Sequence, residues 1–239
     1  MDNSKESGIE PIWRNAEILL TRITINRDYV KNLLPKDITV HEDGRAIVFI
    51  ANYPETTFGS VYKESAFLIH VRDKKGEAWS CPWMVVDDDT ALILGRELLG
   101  FPKKLADIYL DAGTKTASGS VVRKGVEILR IEGSFDSEKK NIEPVFNQRM
   151  LNIFGSIVGG MYVIDIPATY ENIISAKSGH GKFILNGTER DHLDLFAASC
   201  DCEIELIISD FGAGNGSLPE LSEKLDDGFA ASIFFSRAL

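Results

Sequence analysis

Runs of β-branched and aromatic residues separated by polar turns dominate this chain. Glu17–Thr24 and Ala46–Tyr53 read as strands, the second following the turn His41-Glu42-Asp43-Gly44, with a short helix over Arg27–Leu34 between them. Val61–Val71 and Ala78–Val86 flank Asp73-Lys74-Lys75-Gly76, a polar turn with the glycine that hairpins favour, and form a long antiparallel hairpin. Asp89-Thr90 can cap a helix over Ala91–Leu99, which Gly100 and Pro102 stop. Pro102 biases Phe101 toward extended backbone, so Lys103–Leu110 leaves the helix as a strand. Further strands are expected at Ser118–Arg123, Glu127–Phe135, Ile173–Lys177, Glu203–Ser209 and Ala230–Ser236, and a helix over Glu143–Phe154. Hairpins outnumber helices and no strand-helix-strand rhythm appears. The expected class is α+β, mainly antiparallel β, as one domain over residues 1–239: a sheet curled toward a β-barrel or cone with peripheral helices.

The 239 residues are 44% hydrophobic, enough to bury a core and seal a pocket. With 36 acidic against 26 basic residues the net charge is -10, which opposes binding to nucleic acid and to anionic membrane surfaces. An anionic substrate then needs local positive charge, which Lys103, Lys104 and Arg96 can supply. Met1–Ser7 is polar, without the apolar core of a secretion signal, and no run of about 20 apolar residues could span a bilayer. The expected location is cytoplasmic, with Cys81, Cys200 and Cys202 as thiols.

Cys200-Asp201-Cys202 lacks a second pair at ligand spacing and reads as structural. His41, His70, His180 and His192 form no metal motif, and no Gly-x-Ser-x-Gly turn occurs. No metal and no organic cofactor are expected. Leu206–Gly216 has the spaced glycines of a nucleotide-binding loop, but too little chain follows for the remaining strand-helix units, so it reads as a glycine turn between strands.

The chemistry concentrates at Gly95-Arg96-Glu97-Leu98-Leu99-Gly100-Phe101-Pro102-Lys103-Lys104. A lysine amine that condenses with a ketone makes a protonated imine, an electron sink beside a breaking bond. Free lysine has a pKa of about 10.4, so the amine must be made neutral by burial or by a neighbouring cation. Phe101, Pro102, Leu105 and Ala106 offer the apolar surround, and Lys104 offers the cation. Consecutive residues of a strand point to opposite faces, so the two lysines diverge, and desolvation outweighs Lys104 in activating Lys103.

The Gly95-Arg96-Glu97 and Pro102-Lys103-Lys104 arrangement resembles the active-site signature of the acetoacetate decarboxylase family, in which the first lysine of the pair forms the Schiff base. Activation of such a lysine is that family's known rationale and comes to Lys103 by resemblance. Tyr62-Lys63-Glu64-Ser65 is similar to the family's Tyr-x-Glu-Ser and implies Glu64 as a pocket carboxylate that handles a proton or orients the substrate. There are departures. A second family glutamate falls at Phe49, an arginine near Ala16 with Arg14 two residues away, and the tyrosine before the proline is Phe101. The resemblance covers Trp13–Asp111 and fades after Ile166. It implies a lyase acting on a small β-keto acid by decarboxylation, in an assembly of identical chains. Aldol or dehydration chemistry through the same imine, or a non-catalytic ligand-binding relative, are the alternatives. Arg96 on its helix either holds the segment in place or meets the substrate.

Overall fold

The computed structural model describes residues 10–212 and 218–238, so Met1–Ser7 and most of the glycine turn after Gly212 lie outside the described residues. In chain order the elements are β1 (Ile12–Thr24), α1 (Arg27–Val30), β2 (Thr39–Val40), β3 (Arg45–Tyr53), β4 (Glu55–Thr56), β5 (Tyr62–Asp73), β6 (Gly76–Val86) and α2 (Asp89–Leu99). Then follow β7 (Lys103–Leu105), β8 (Asp107–Ala112), β9 (Thr116–Arg123), β10 (Val126–Glu138), β11 (Met150–Ser156) and β12 (Gly160–Ile166). The chain continues through β13 (Tyr170–Leu185), β14 (Cys200–Gly212), β15 (Glu220–Lys224) and α3 (Asp227–Ala238). Among the described residues no helix is long and apolar enough to cross a membrane.

The strands form one sheet in the order β15-β12-β11-β6-β5-β3-β1-β14-β13-β10-β9-β8, with β2, β4 and β7 paired to β5, β1 and β6 off that path. The sheet curls until β8 packs against β3 and β5, but its end strands β8 and β15 do not pair with each other. The expected curl is present; a closed barrel is not. Pairing is antiparallel except where β7 and β11 join β6 in parallel.

Strand alternation divides the core in two. Leu19, Ile50, Phe67 and Val85 belong to the cluster enclosed by the curl, while Leu20, Phe49, Ala66 and Met84 belong to a second cluster on the opposite face. The second cluster carries the site described below.

Three local expectations are corrected. Ala230–Ser236 lies within helix α3, because Asp226 accepts the Phe229 N–H at 2.9 Å and Ala230 and Ile233 bury at helical spacing. Glu143–Phe154 is no helix: the Val145 and Phe146 N–H groups donate to the Glu171 carboxylate, Arg149 reaches Asp73 and Asp165, and β11 begins at Met150. Tertiary carboxylates satisfy the donors and cations that a helix would have used locally. Lys103–Leu110 is two strands: β7 follows β6 in parallel, Ala106 donates to Val86 O, and β8 turns to pair antiparallel with β9.

Candidate active site

Four elements place the signature residues. The α2 helix starts on Asp88, whose carboxylate accepts the Ala91 N–H at 2.8 Å, and ends on Gly100 in the left-handed conformation with φ 65°. A side chain on Gly100 would meet Ile153 O at 2.5 Å, so only glycine fits this reversal. The Gly100 and Phe101 N–H groups return to Arg96 O and Gly95 O. Arg96 Nη1 donates to Lys103 O at 2.9 Å, and Arg237 of α3 donates to Gly100 O. The chain therefore enters β7 in a fixed phase, and Arg96 serves its backbone.

That phase decides the fate of the lysine pair. Lys103 aligns with Met84, on the face of Ala66 and Phe49; Lys104 aligns with Val85, on the face of Ile50. The two lysines thus diverge as the strand geometry requires. Lys103 Nζ lies 2.7 Å from Glu64 Oε2, and each residue is only 6% exposed. Tyr53 OH donates to Glu64 Oε1 at 3.3 Å. The Tyr62 and Phe101 rings stand 5.2 and 5.8 Å from Lys103 Nζ, within or near cation–π range. Gly95 of α2 faces the same side chain: a Cβ there would lie 2.5 Å from Lys103 Cε and 3.0 Å from Nζ.

Aromatic rings close the surroundings. Phe49 is fully buried and meets Phe146 edge-on at 5.8 Å; Phe146 contacts Phe211, which stacks on Trp13, and Trp13 Nε1 donates to Tyr62 OH at 3.0 Å. Phe49 thus puts a ring where the resemblance would have a carboxylate. Burial, then the Glu64 charge, holds Tyr53 and Tyr62 well above the usual phenol range, so both stay protonated. Burial followed by Glu64 likewise pushes the Cys81 thiol up, so it is not a nucleophile. Burial is also the largest influence on Glu171, raising its carboxyl above the ordinary value despite the two N–H bonds that seat Phe146.

Lys104 has different company. Its Nζ lies 3.2 Å from Asp191 Oδ1; Arg123 Nε lies 3.2 Å from Oδ2, and Trp83 Nε1 donates to Oδ1 at 3.1 Å. Burial lowers the Lys104 pKa below 10.5, against the pull of Asp191. A cavity of about 160 Å³ opens on this face, lined by Lys104, Asp191, Trp83 and His192 among others but not by Lys103 or Glu64. The cavity thus opens beside Lys104 and not beside Lys103, each lysine being paired with its own buried carboxylate. Arg14 joins neither site; it pairs with Glu55 at 3.5 Å on an exposed edge, beyond a bulge in β1.

Lys103, Glu64, Phe101 and Phe49 therefore come together on one face, with Arg96 behind them and Lys104 opposite. Tyr53, Phe146 and Phe211, which surround Lys103 and Glu64, sit in apolar stretches that read as core, and Asp191, which holds Lys104, sits in a polar stretch that reads as an exposed loop. The alternation of β3 could have found Tyr53, which shares the face of Phe49 and Ala51.

A family model described as Acetoacetate decarboxylase (ADC) matches residues 2–189. Acetoacetate decarboxylase 2 of Mesorhizobium japonicum is 30% identical over 135 residues, 56% of this chain and 51% of that protein. The acetoacetate decarboxylase of Paraburkholderia xenovorans is 33% identical over 107 residues, 45% of this chain and 42% of its own. The match thus spans about half the length of these curated relatives. The crystal structure of acetoacetate decarboxylase from Legionella pneumophila superposes with a TM-score of 0.75 at 16% identity, covering 94% of this chain and 93% of that one. An acetoacetate decarboxylase-like enzyme from Sphingomonas wittichii gives 0.79 at 16% identity, covering 90% and 94%. The enduracididine biosynthesis enzyme MppR complexed with pyruvate gives 0.75 at 13%, covering 93% and 95%. These likenesses establish a common fold.

Proposed function

Since the chain belongs to the acetoacetate decarboxylase family, we propose that it is a lyase that decarboxylates a small β-keto acid, acetoacetate or a relative of it, through a Schiff base on Lys103. The observation that carries this reading is the 2.7 Å contact between Lys103 and Glu64, buried under aromatic rings with Gly95 making room for the amine. Glu64 takes the ammonium proton, and the free amine adds to the ketone carbonyl. Glu64 gives that proton to the carbinolamine hydroxyl, which leaves as water, and a protonated imine remains. The bond to the carboxylate breaks, carbon dioxide departs, and the electron pair passes into the imine as an enamine. A proton from solvent, relayed by Glu64, goes to the carbon; water then hydrolyses the protonated imine, releasing the ketone and restoring the Lys103 ammonium.

The Phe49 ring favours loss of the substrate carboxylate, since an apolar wall stabilises neutral carbon dioxide better than the anion. Lys104 frames the segment from the other face. Lys103 is nearly enclosed, so substrate entry requires the covering rings to move. Assembly of identical chains belongs to this proposal by family resemblance and a cytoplasmic setting by the polar character of the sequence, and sedimentation tests the first.

Borohydride reduction in the presence of a keto acid tests the mechanism: a substrate fragment should be fixed on Lys103, and the Lys103→Gln variant should neither trap nor turn over. Full turnover by that variant would falsify the imine. A second reading is favoured by the likeness to MppR, which is described in complexes with pyruvate and with the condensation product of pyruvate and imidazole 4-carboxaldehyde. Aldol or dehydration chemistry would use the same imine. Trapping without carbon dioxide release, together with aldehyde-dependent consumption of pyruvate, selects it; no adduct with any keto acid selects a binding protein.

A further inference from the structure

Six residues along β5 from Glu64, about 20 Å at strand rise, a second polar cluster joins the β2–β3 turn to the β5–β6 hairpin. His41 and Asp43 come from the turn, His70 from β5 and Glu77 from β6. The two imidazoles face each other with centroids 4.1 Å apart. Asp43 sits at one edge of both rings: its Oδ2 is 2.8 Å from His70 Nδ1 and its Oδ1 is 3.1 Å from His41 Nδ1. A carboxylate oxygen facing a ring nitrogen at that distance places the proton on that nitrogen. Arg72 agrees, since its Nη2 lies 3.1 Å from His41 Nε2 and can donate there only onto a lone pair. The Asp43 N–H also approaches His41 Nδ1, but at 3.4 Å, and the closer carboxylate sets the tautomer.

The other edge of the rings is then a set of converging acceptors. His41 Nε2 lies 3.4 Å from Glu77 Oε1, and His70 Nε2 lies 3.6 Å from Glu77 Oε2. His70 is 1% exposed, and its Nε2 is buried without a hydrogen-bond partner among the described residues. A lone pair shut from water and aimed at a carboxylate is unfavourable unless a positive centre lies between them.

We propose that His41 Nε2, His70 Nε2 and the Glu77 carboxylate bind one divalent cation of the zinc class, with Asp43 as the carboxylate behind both imidazoles. Zinc takes imidazole nitrogen and carboxylate oxygen at about 2.0–2.2 Å, so its ligands stand a little over 3 Å apart, close to the 3.4 and 3.6 Å at which the Glu77 oxygens already face the two ring nitrogens. The Asp43 arrangement is the one metal-bound histidines use to fix their tautomer. Magnesium and calcium prefer all-oxygen sets and are disfavoured. Arg72, half exposed, lies 3.4 Å from Glu77 and is the competing cation; zinc displaces it. The site staples turn to hairpin and is remote from Lys103, so it stands or falls independently of the keto-acid reading. The four residues come from three separate stretches, which is why no linear motif announces them.

Calorimetric titration of the chelator-treated full chain with zinc, alongside cobalt absorption, tests the site. One zinc per chain should bind, raise the Tm, and give cobalt bands of low-coordinate N/O ligation. His41→Gln and Glu77→Gln should each weaken binding at least about tenfold, and Asp43→Asn by about 10- to 100-fold. Arg72→Gln should tighten it. Circular dichroism checks that each variant is folded; should His41→Gln fail, Glu77→Gln and Arg72→Gln, at half-exposed positions, still decide. No saturable zinc binding, equal stabilisation by magnesium, or affinity that survives Glu77→Gln and vanishes in a Cys200→Ser/Cys202→Ser variant would each overturn the proposal.

Discussion

A buried ammonium and a buried carboxylate tolerate each other only as a pair. Removing one partner leaves the other charged in a place where water cannot reach it, so Lys103→Ala should cost about 3–5 kcal/mol in urea unfolding. Replacing both with apolar groups, Lys103→Met with Glu64→Leu, should recover most of that loss while remaining inactive, separating the charge balance from the chemistry. Gly95 separates them in the opposite direction. Alanine is better than glycine inside a helix by about 1 kcal/mol, yet its methyl would crowd Lys103 Cε at 2.5 Å. Gly95→Ala is therefore expected to lower kcat at least about tenfold, because small misplacements of a reacting group are costly. An unchanged kcat in that variant would show that the amine does not need its present seat.

At the scale of elements, α2 is the part that sets the site, and its first turn responds to pH. The hydrogen bond from Ser60, opposed by burial and supported by the Ala91 and Thr90 N–H groups, holds the Asp88 carboxyl below its ordinary 3.8. A depressed carboxyl contributes stability above its unfolded pKa and loses it as pH falls through the folded value. Wild type should therefore lose more stability than Asp88→Asn as pH falls from about 5 to below 3.8, seen as a difference in urea midpoints. Asp88→Ala should lose about 1 kcal/mol at neutral pH by losing the cap.

This helix was legible because its signals are local: an acidic cap at one end, which falls on Asp88 rather than on the expected Asp89-Thr90, and Gly100 and Pro102 at the other. The β5–β6 hairpin was legible for the same reason, through its polar turn. Glu143–Phe154 was not, since the groups that hold it open are Glu171, Asp73 and Asp165, on other strands. Ala230–Ser236 is a short apolar run that alternation and helical spacing describe equally well, and only the Asp226 cap decides it. Lys103 and Glu64 were found by motif resemblance. Their contact at 2.7 Å depends on two strand registers that no local pattern contains.

For the whole molecule, the curled sheet puts one lysine on each face and gives each its own acid. Asp191, 87 residues from Lys104, ties β7 to β9 and to β6 through Arg123 and Trp83. Asp191→Ala leaves Lys104 and Arg123 facing each other without that carboxylate. It should cost about 3–5 kcal/mol in chemical unfolding while borohydride trapping on Lys103 persists in the folded fraction. The side-by-side lysines also make the molecule sensitive to reading frame within a single strand. Sliding β7 by one position against β6 would exchange the faces of the pair, presenting Lys104 toward Glu64 and turning Lys103 inward. The backbone clasps from Arg96 and Arg237, with the left-handed Gly100, are what forbid that slip. A one-residue insertion between Gly100 and Lys103 therefore tests whether reactivity belongs to a residue or to a position: the trapped fragment should move to whichever lysine the altered register delivers to Glu64.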